Sequence, residues 1–140
     1  MAGTEIEINA SIPPVSKHVT QASIDQFESC GILDRVSIHN DPALAQRRLG
    51  FGAPIASGRM SVAFAAESLR KFFGPQVFSH TGTINLKYLR PVKHGDTITV
   101  SGTVKDQEQV EAGTLVTVNI FCENQDREKT ALGFATAIVP

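Results

Sequence analysis

The stretch Asp34-Arg35-Val36-Ser37-Ile38-His39-Asn40-Asp41 gathers two carboxylates and an imidazole into eight residues. If the loop turns between them, Asp34 and His39 can converge on one water. A carboxylate and an imidazole sharing a water form a general acid/base pair usable near neutral pH. The same residues also have a plain structural use, with Asp34 satisfying loop amides and His39 incidental, and spacing alone does not choose between the two. Asp41 stands before Pro42 and reads as a helix cap. A second chemical position is the start of Gly58–Phe73, where free N–H groups at a helix end can hold an oxyanion. His18, His39, His80 and His94 are scattered without ligand pairs, and Cys30 and Cys122 lack metal-like spacing, so no metal site is expected. Both thiols are expected to be buried and reduced.

These groups need elements to hold them. In Gly58–Phe73 the apolar residues Val62, Ala65, Ala66, Leu69, Phe72 and Phe73 recur at the spacing of one helical face. Ser57 can cap that helix, and Gly74-Pro75 stops it. Its many alanines and serines make it slim enough for a sheet to approach closely. Before it, Glu5–Ser11 alternates like a strand, Thr20 opens a short helix through about Glu28, and Asp41-Pro42 opens another through Arg48. After it come four strand-like runs: Thr83–Leu89, Asp96–Val104, Thr114–Glu123 and Thr130–Val139. The last places Leu132, Phe134 and Ile138 on one face. Short turns between neighbouring runs argue antiparallel pairing, so the expected class is α+β, with the long helix on one face of an antiparallel sheet.

At 140 residues the chain is expected to form a single domain, residues 1–140. A net charge of −1 gives no electrostatic case for nucleic acid or an anionic membrane. No apolar run approaches transmembrane length and the N-terminus lacks a signal-peptide pattern, so a cytoplasmic protein is expected. Exposed sheet edges suit an identical partner, making a homodimer the expected assembly.

Asp34-x-x-x-Ile38-His39-x-Asp41-Pro42, followed by Pro54-Ile55-Ala56-Ser57-Gly58 opening a long helix, resembles the MaoC-like, (R)-specific enoyl-CoA hydratases of the hot-dog fold. Tyr88-Leu89-Arg90-Pro91-Val92-Lys93-His94-Gly95-Asp96 is similar to their strand-and-turn signature, and the likeness runs from about Thr20 to Val139. The resemblance implies an antiparallel sheet wrapped around the long helix, with sheets paired edge to edge in a dimer. It also implies a lyase that reversibly hydrates trans-2-enoyl thioesters to (R)-3-hydroxyacyl thioesters. The family's acid/base pair falls on Asp34 and His39, and Gly58 N–H would bind the thioester oxygen. No metal or redox cofactor is implied; coenzyme A or an acyl carrier protein is the handle of the substrate.

Departures from the family pattern bear on the acyl group and on the loop. Val36-Ser37 stands where Asn-Pro is usual, Ser57 where His is usual, and Ala66 where a hydroxyl residue is often found. Arg59 could meet a charged acyl group or point to solvent. Phe51, Ile55, Met60 and Phe64 are candidate lining for the acyl tail, or else core, and Ser57 and Arg59 stand with them as substrate-binding candidates. Arg35, Arg47, Arg48, Lys87, Arg90 and Lys93 are candidates for coenzyme A phosphates. Two alternatives stand beside hydration. One is a thioesterase using Glu67, which sits at i,i+4 from Lys71, and the other is a non-catalytic acyl-thioester-binding subunit of a heteromer.

Overall fold

The computed structural model describes residues 5–30, 37–50 and 52–140. Five strands form one antiparallel sheet: β1 (Val15–His18), β2 (Thr83–Tyr88), β3 (Thr97–Val110), β4 (Gly113–Glu123) and β5 (Lys129–Val139), in the spatial order β1-β3-β4-β5-β2. Among the described residues four helices accompany it: α1 (Gln21–Ser29), α2 (Pro42–Leu49), α3 (Gly58–Phe73) and α4 (Pro75–Thr81). The sheet wraps around α3, which is the hot-dog arrangement.

Local chemistry accounts for most boundaries. Thr20 caps α1 in a reciprocal box with Ser23, and Asp41 Oδ1 accepts from the N–H groups of Ala43 and Leu44 at 2.9 and 3.2 Å. Gly50 ends α2 with φ of 82°, the left-handed conformation for which glycine is suited. Gly74 ends α3 as expected, yet Pro75 does not open a strand region. It occupies the first position of α4, where its missing N–H costs nothing. The expected strand at Glu5–Ser11 is absent as well. Asn9 takes φ of 69° and breaks the alternation in a turn, Ser11 makes only an isolated bridge to Thr103, and the first strand begins after Pro13-Pro14.

The core lies between the inner sheet face and one side of α3. Met60, Ser61, Ala65, Ser68, Leu69 and Phe73 are the buried helix positions, so two serines join the apolar stripe, while Val62, Ala66 and Phe72 are only partly covered. Ser68 donates to the Pro13 carbonyl at 2.5 Å, which makes its burial tolerable. Opposite stand Ile98, Val100 and Val104 of β3 and Val116, Val118, Ile120 and Cys122 of β4.

The fifth strand has the opposite phase to the expected one. Ala131, Ala135 and Ala137 face inward, whereas Leu132 and Phe134 are 43% and 47% exposed. At Gly133, on the inward phase, the Asn85 carbonyl oxygen of β2 leaves no room for a Cβ, and the small residues Ala131, Ala135 and Ala137 share that face. The thiols also separate, since Cys122 is buried but Cys30 is exposed at the end of α1. No helix among the described residues is long and apolar enough to cross a membrane.

Candidate active site

A cavity of about 330 Å³ opens where α3 begins. His39 forms one wall. Ile55, Ala56, Ser57, Gly58 and Ser61 form the floor, and Tyr88, Leu89, Arg90, Pro91 and Val92, with Thr130 of β5, close the far side.

His39 is held by a tight turn. The Ser37 carbonyl accepts from Asn40 N–H and Asp41 N–H at 3.2 and 2.9 Å. Ser37 N–H donates to Asn40 Oδ1 at 2.8 Å, and His39 N–H donates to Ser37 Oγ at 3.1 Å. Ser37 therefore braces the loop through its hydroxyl, at a position where the sequence suggested a lost brace. From the α1 side, Gln21 Nε2 donates to the His39 carbonyl at 3.1 Å.

Among the described residues one hydrogen bond orients the ring. His39 Nδ1 lies 2.7 Å from the Ile55 carbonyl oxygen. A carbonyl only accepts, so Nδ1 carries the proton, and in the neutral ring Nε2 keeps its lone pair. Ile55 is tied back in turn, its N–H donating to the Ile38 carbonyl at 3.0 Å. Together these bonds fix the imidazole against the segment that leads into α3.

That segment is anchored on its other side by Ala56 N–H, which donates to the Val92 carbonyl at 2.7 Å. Val92 belongs to the run before the turn at Lys93–Asp96. There the buried Asp96 accepts from Lys93 N–H at 2.9 Å and from Gln125 Nε2 at 3.0 Å. The start of α3 is thus clamped between the His39 turn and the Tyr88–Val92 segment. Ser57 holds the N-cap position, but its side chain makes no capping hydrogen bond. The expected serine cap is therefore not formed, and the first amides of α3 keep no side-chain partner from it.

Gly58 lies beneath the ring of Tyr88. A Cβ at Gly58 would stand 2.7 and 2.8 Å from Cε2 and Cε1 of that ring and closer still to Cζ. Tyr88, Ser61 and Thr130 were not singled out as site residues from sequence. The signature run beginning at Tyr88 was the available signal for one of them. Ser61 follows Ser57 by one helical turn, a spacing that would have pointed to the second.

The other candidate residues are distributed as follows. Ile55 and Ser57 line the cavity with His39 and Gly58. Met60 is buried in the core and Phe64 packs against it, and neither borders this cavity. Arg59 turns away to meet Glu28 Oε2 at 3.5 Å across to α1. Asp34, Arg35, Val36 and Phe51 lie outside the described residues. Arg90 is at the cavity wall and 3.3 Å from Glu128, and with Lys93 it also borders an adjoining polar groove. Glu67 does not line the cavity. It accepts from Lys17 at 3.0 Å, with Lys71 at 3.8 Å, and the Lys17 hydrogen bond holds its carboxyl below the usual range.

The fold has many solved counterparts. A monoamine oxidase regulatory protein of Archaeoglobus fulgidus is 27% identical with a TM-score of 0.78, covering 96% of this chain and 90% of its own. The (R)-hydratase of A. caviae involved in PHA biosynthesis is 21% identical with a TM-score of 0.82, covering 99% of this chain and all of its own. A 3R-hydroxyacyl-ACP dehydratase complex of Mycobacterium tuberculosis, HadBC, is 19% identical with a TM-score of 0.71, covering 97% of this chain and 98% of that one. The last two are likenesses of fold alone. No curated protein matches the chain in sequence. The sequence pattern of the MaoC-like domain matches residues 6–124, and this protein is a member of the MaoC-like domain family.

Proposed function

We propose that this chain is a hydro-lyase that reversibly adds water to trans-2-enoyl thioesters, giving (R)-3-hydroxyacyl thioesters, with coenzyme A or an acyl carrier protein as the handle. The observation that carries the reading is the Ile55 carbonyl on His39 Nδ1, which leaves Nε2 as an acceptor at a cavity floored by the start of α3. A water there gives one O–H to Nε2 and the other to Asp34. Its oxygen adds to the β-carbon, one of its protons reaches the α-carbon, and the pair Asp34 and His39 carries that proton between them. While the bond forms, negative charge grows on the thioester oxygen, and Gly58 N–H at the helix end meets it. Atoms balance without a redox group or metal in this scheme. Arg90, at the wall shared with the polar groove, suits a phosphate of the carrier.

Neither alternative draws the same support. A thioesterase needs a carboxylate beside the thioester carbonyl, and Glu67 is engaged by two lysines away from this cavity. A non-catalytic subunit would have no use for an imidazole locked in one tautomer. The test is to follow crotonyl-CoA and longer enoyl-CoAs by loss of conjugated absorbance, with free thiol measured in parallel. Loss without thiol is expected. Thiol release would establish a thioesterase, and neither signal would overturn both enzymatic readings. The outer side of β2, the end strand of the sheet beyond β5, also suits a second copy, with Tyr88 52% exposed and Leu89 just past the strand end 45% exposed. A dimer is expected by sedimentation at micromolar concentration; a monomer would refute the edge pairing.

A further inference from the structure

Among the described residues two buried side-chain oxygens lack a hydrogen-bond partner, Glu28 Oε1 and Ser57 Oγ. Glu28 stands at the end of α1 with its other oxygen on Arg59, away from the cavity. Ser57 is different. It is 7% exposed and lines the cavity between His39 and Gly58.

The idle hydroxyl is unexpected in a residue with the backbone of an ordinary N-cap, φ −70° and ψ 149°. A serine there normally accepts from the second or third helical amide. Here Met60 N–H is met by the Ser57 main-chain oxygen at 3.0 Å, and the side chain is left over. A buried hydroxyl without a partner is costly unless a ligand completes it. The positive end of α3 favours holding the oxygen lone pairs toward the helix amides and the proton toward the cavity. The hydroxyl is therefore poised as a donor, one residue before Gly58, which lines the same cavity.

We propose that the Ser57 hydroxyl is a second donor to the thioester oxygen, acting with Gly58 N–H, so that the developing oxyanion is held from two directions. The proposal rests on the hydration reading for its chemistry and names a group that reading does not use. His39 Nε2 is an acceptor engaged by the water, which leaves the substrate carbonyl as the acceptor for Ser57. Charge on that oxygen is greater in the transition state than in the substrate, so the donor acts on turnover more than on binding.

The test uses the whole protein, with Ser57→Ala and Ser57→Cys measured in three ways. The first is steady-state hydration of crotonyl-CoA. The second is the infrared carbonyl band of bound butyryl-CoA labelled with carbon-13 at the carbonyl. The third is thermal unfolding. Ser57→Ala should lose about a hundredfold in kcat, the scale for removing one oxyanion donor, with KM nearly unchanged. The labelled band should move to higher frequency, because the carbonyl is less polarised. The melting temperature should not fall, since no hydrogen bond of the free protein is lost. Ser57→Cys fills the same space with a weak donor and should stay slow. Wild-type turnover with an unmoved band in Ser57→Ala would overturn the proposal. So would full activity in Ser57→Cys, or a rate loss that only tracks the unfolded fraction. If the wild type binds the labelled thioester and the band responds to Ser57→Ala, but no enoyl-CoA is hydrated, the hydration reading falls and the donor stands. If the wild type binds no thioester, both fall.

Discussion

Replacing Gly58 by alanine leaves its N–H in place, so any effect must come from space. The added methyl would stand 2.7 Å from Cε2 of Tyr88 and 2.8 Å from Cε1. Carbon atoms rest at about 3.5–4.0 Å, so an overlap near 1 Å has to be relieved. The helix backbone on one side is clamped by Ala56 to Val92, whereas Tyr88 is half exposed and can move. The expected response is therefore a displaced Tyr88, costing roughly 1–3 kcal/mol of stability as overpacking does. That corresponds to a fall in melting temperature of about 3–12 °C for a chain of this size. The methyl also crowds the approach to the amide. Turnover should drop by roughly ten- to a thousandfold, bracketing the loss of one oxyanion donor with some misplacement. Tyr88→Ala in the same chain frees the space, and the double variant should recover most of the stability lost to the methyl. Its activity relative to Tyr88→Ala alone should fall by less than Gly58→Ala falls relative to wild type, giving a coupling that a double-mutant cycle measures directly. Strictly additive losses would refute the steric reasoning. A Gly58→Ala enzyme that melts early yet keeps full turnover per folded molecule would show that the glycine serves packing alone.

Three further outcomes are expected. His39→Ala and Asp34→Asn should each slow hydration by about a hundredfold or more in a folded protein, read by steady-state kinetics alongside circular dichroism. Glu67→Gln should leave turnover unchanged. The wild-type carboxylate, held below its ordinary range by Lys17, contributes stability above that range and loses it as pH falls, so the variant should show a flatter acid unfolding profile. Burial pushes the Cys122 thiol up to about 11 from the ordinary 9.0. The folded chain keeps a proton that the unfolded chain releases, so this group's contribution is full below the ordinary thiol range and declines by on the order of 2–3 kcal/mol as pH rises through the folded value. Cys122→Ala should lose less stability than wild type between about pH 8 and 11, and a maleimide should label Cys30 in the native protein while sparing Cys122.

The long helix, its limits and the antiparallel run after it were legible because each is written in local chemistry: a 3.6-residue apolar period, a glycine at the end, turns at fixed spacing. What was not legible depends on distance across the fold. Rules of periodicity put large apolar residues inward, so Leu132 and Phe134 read as core. They face outward because the register with β2 and β4 turns Ala131, Gly133, Ala135 and Ala137 toward the helix, and at Gly133 the Asn85 carbonyl of β2 leaves no room even for a Cβ. The serines of α3 are the same effect seen from the helix. Ser68 is admitted to the core because the Pro13 carbonyl, 55 residues away in sequence, is there to accept its proton. Glu5–Ser11 failed for a local reason instead, a left-handed Asn9 that alternation does not register.

The site divides along the same line. Residue type and spacing drew attention to His39 and Gly58, but neither could say which imidazole nitrogen is basic. That property comes from Ile55, whose carbonyl is fixed by the Ile38 hydrogen bond, the bridge to Lys93 and the clamp of Ala56 on Val92. The tautomer is therefore set by the backbone route into α3, and a change at Ile55 that moved its carbonyl would alter His39 without touching it. Ser57 illustrates the complement. From sequence its most economical use was to cap the helix, and a cap would have consumed the hydroxyl locally. Only the folded chain shows that main-chain geometry meets the Met60 amide already and that the side chain is buried beside Gly58 with nothing to bond. A buried polar group left unsatisfied is the kind of local inconsistency that stability alone would have removed, since alanine at that position would cost the free protein no hydrogen bond.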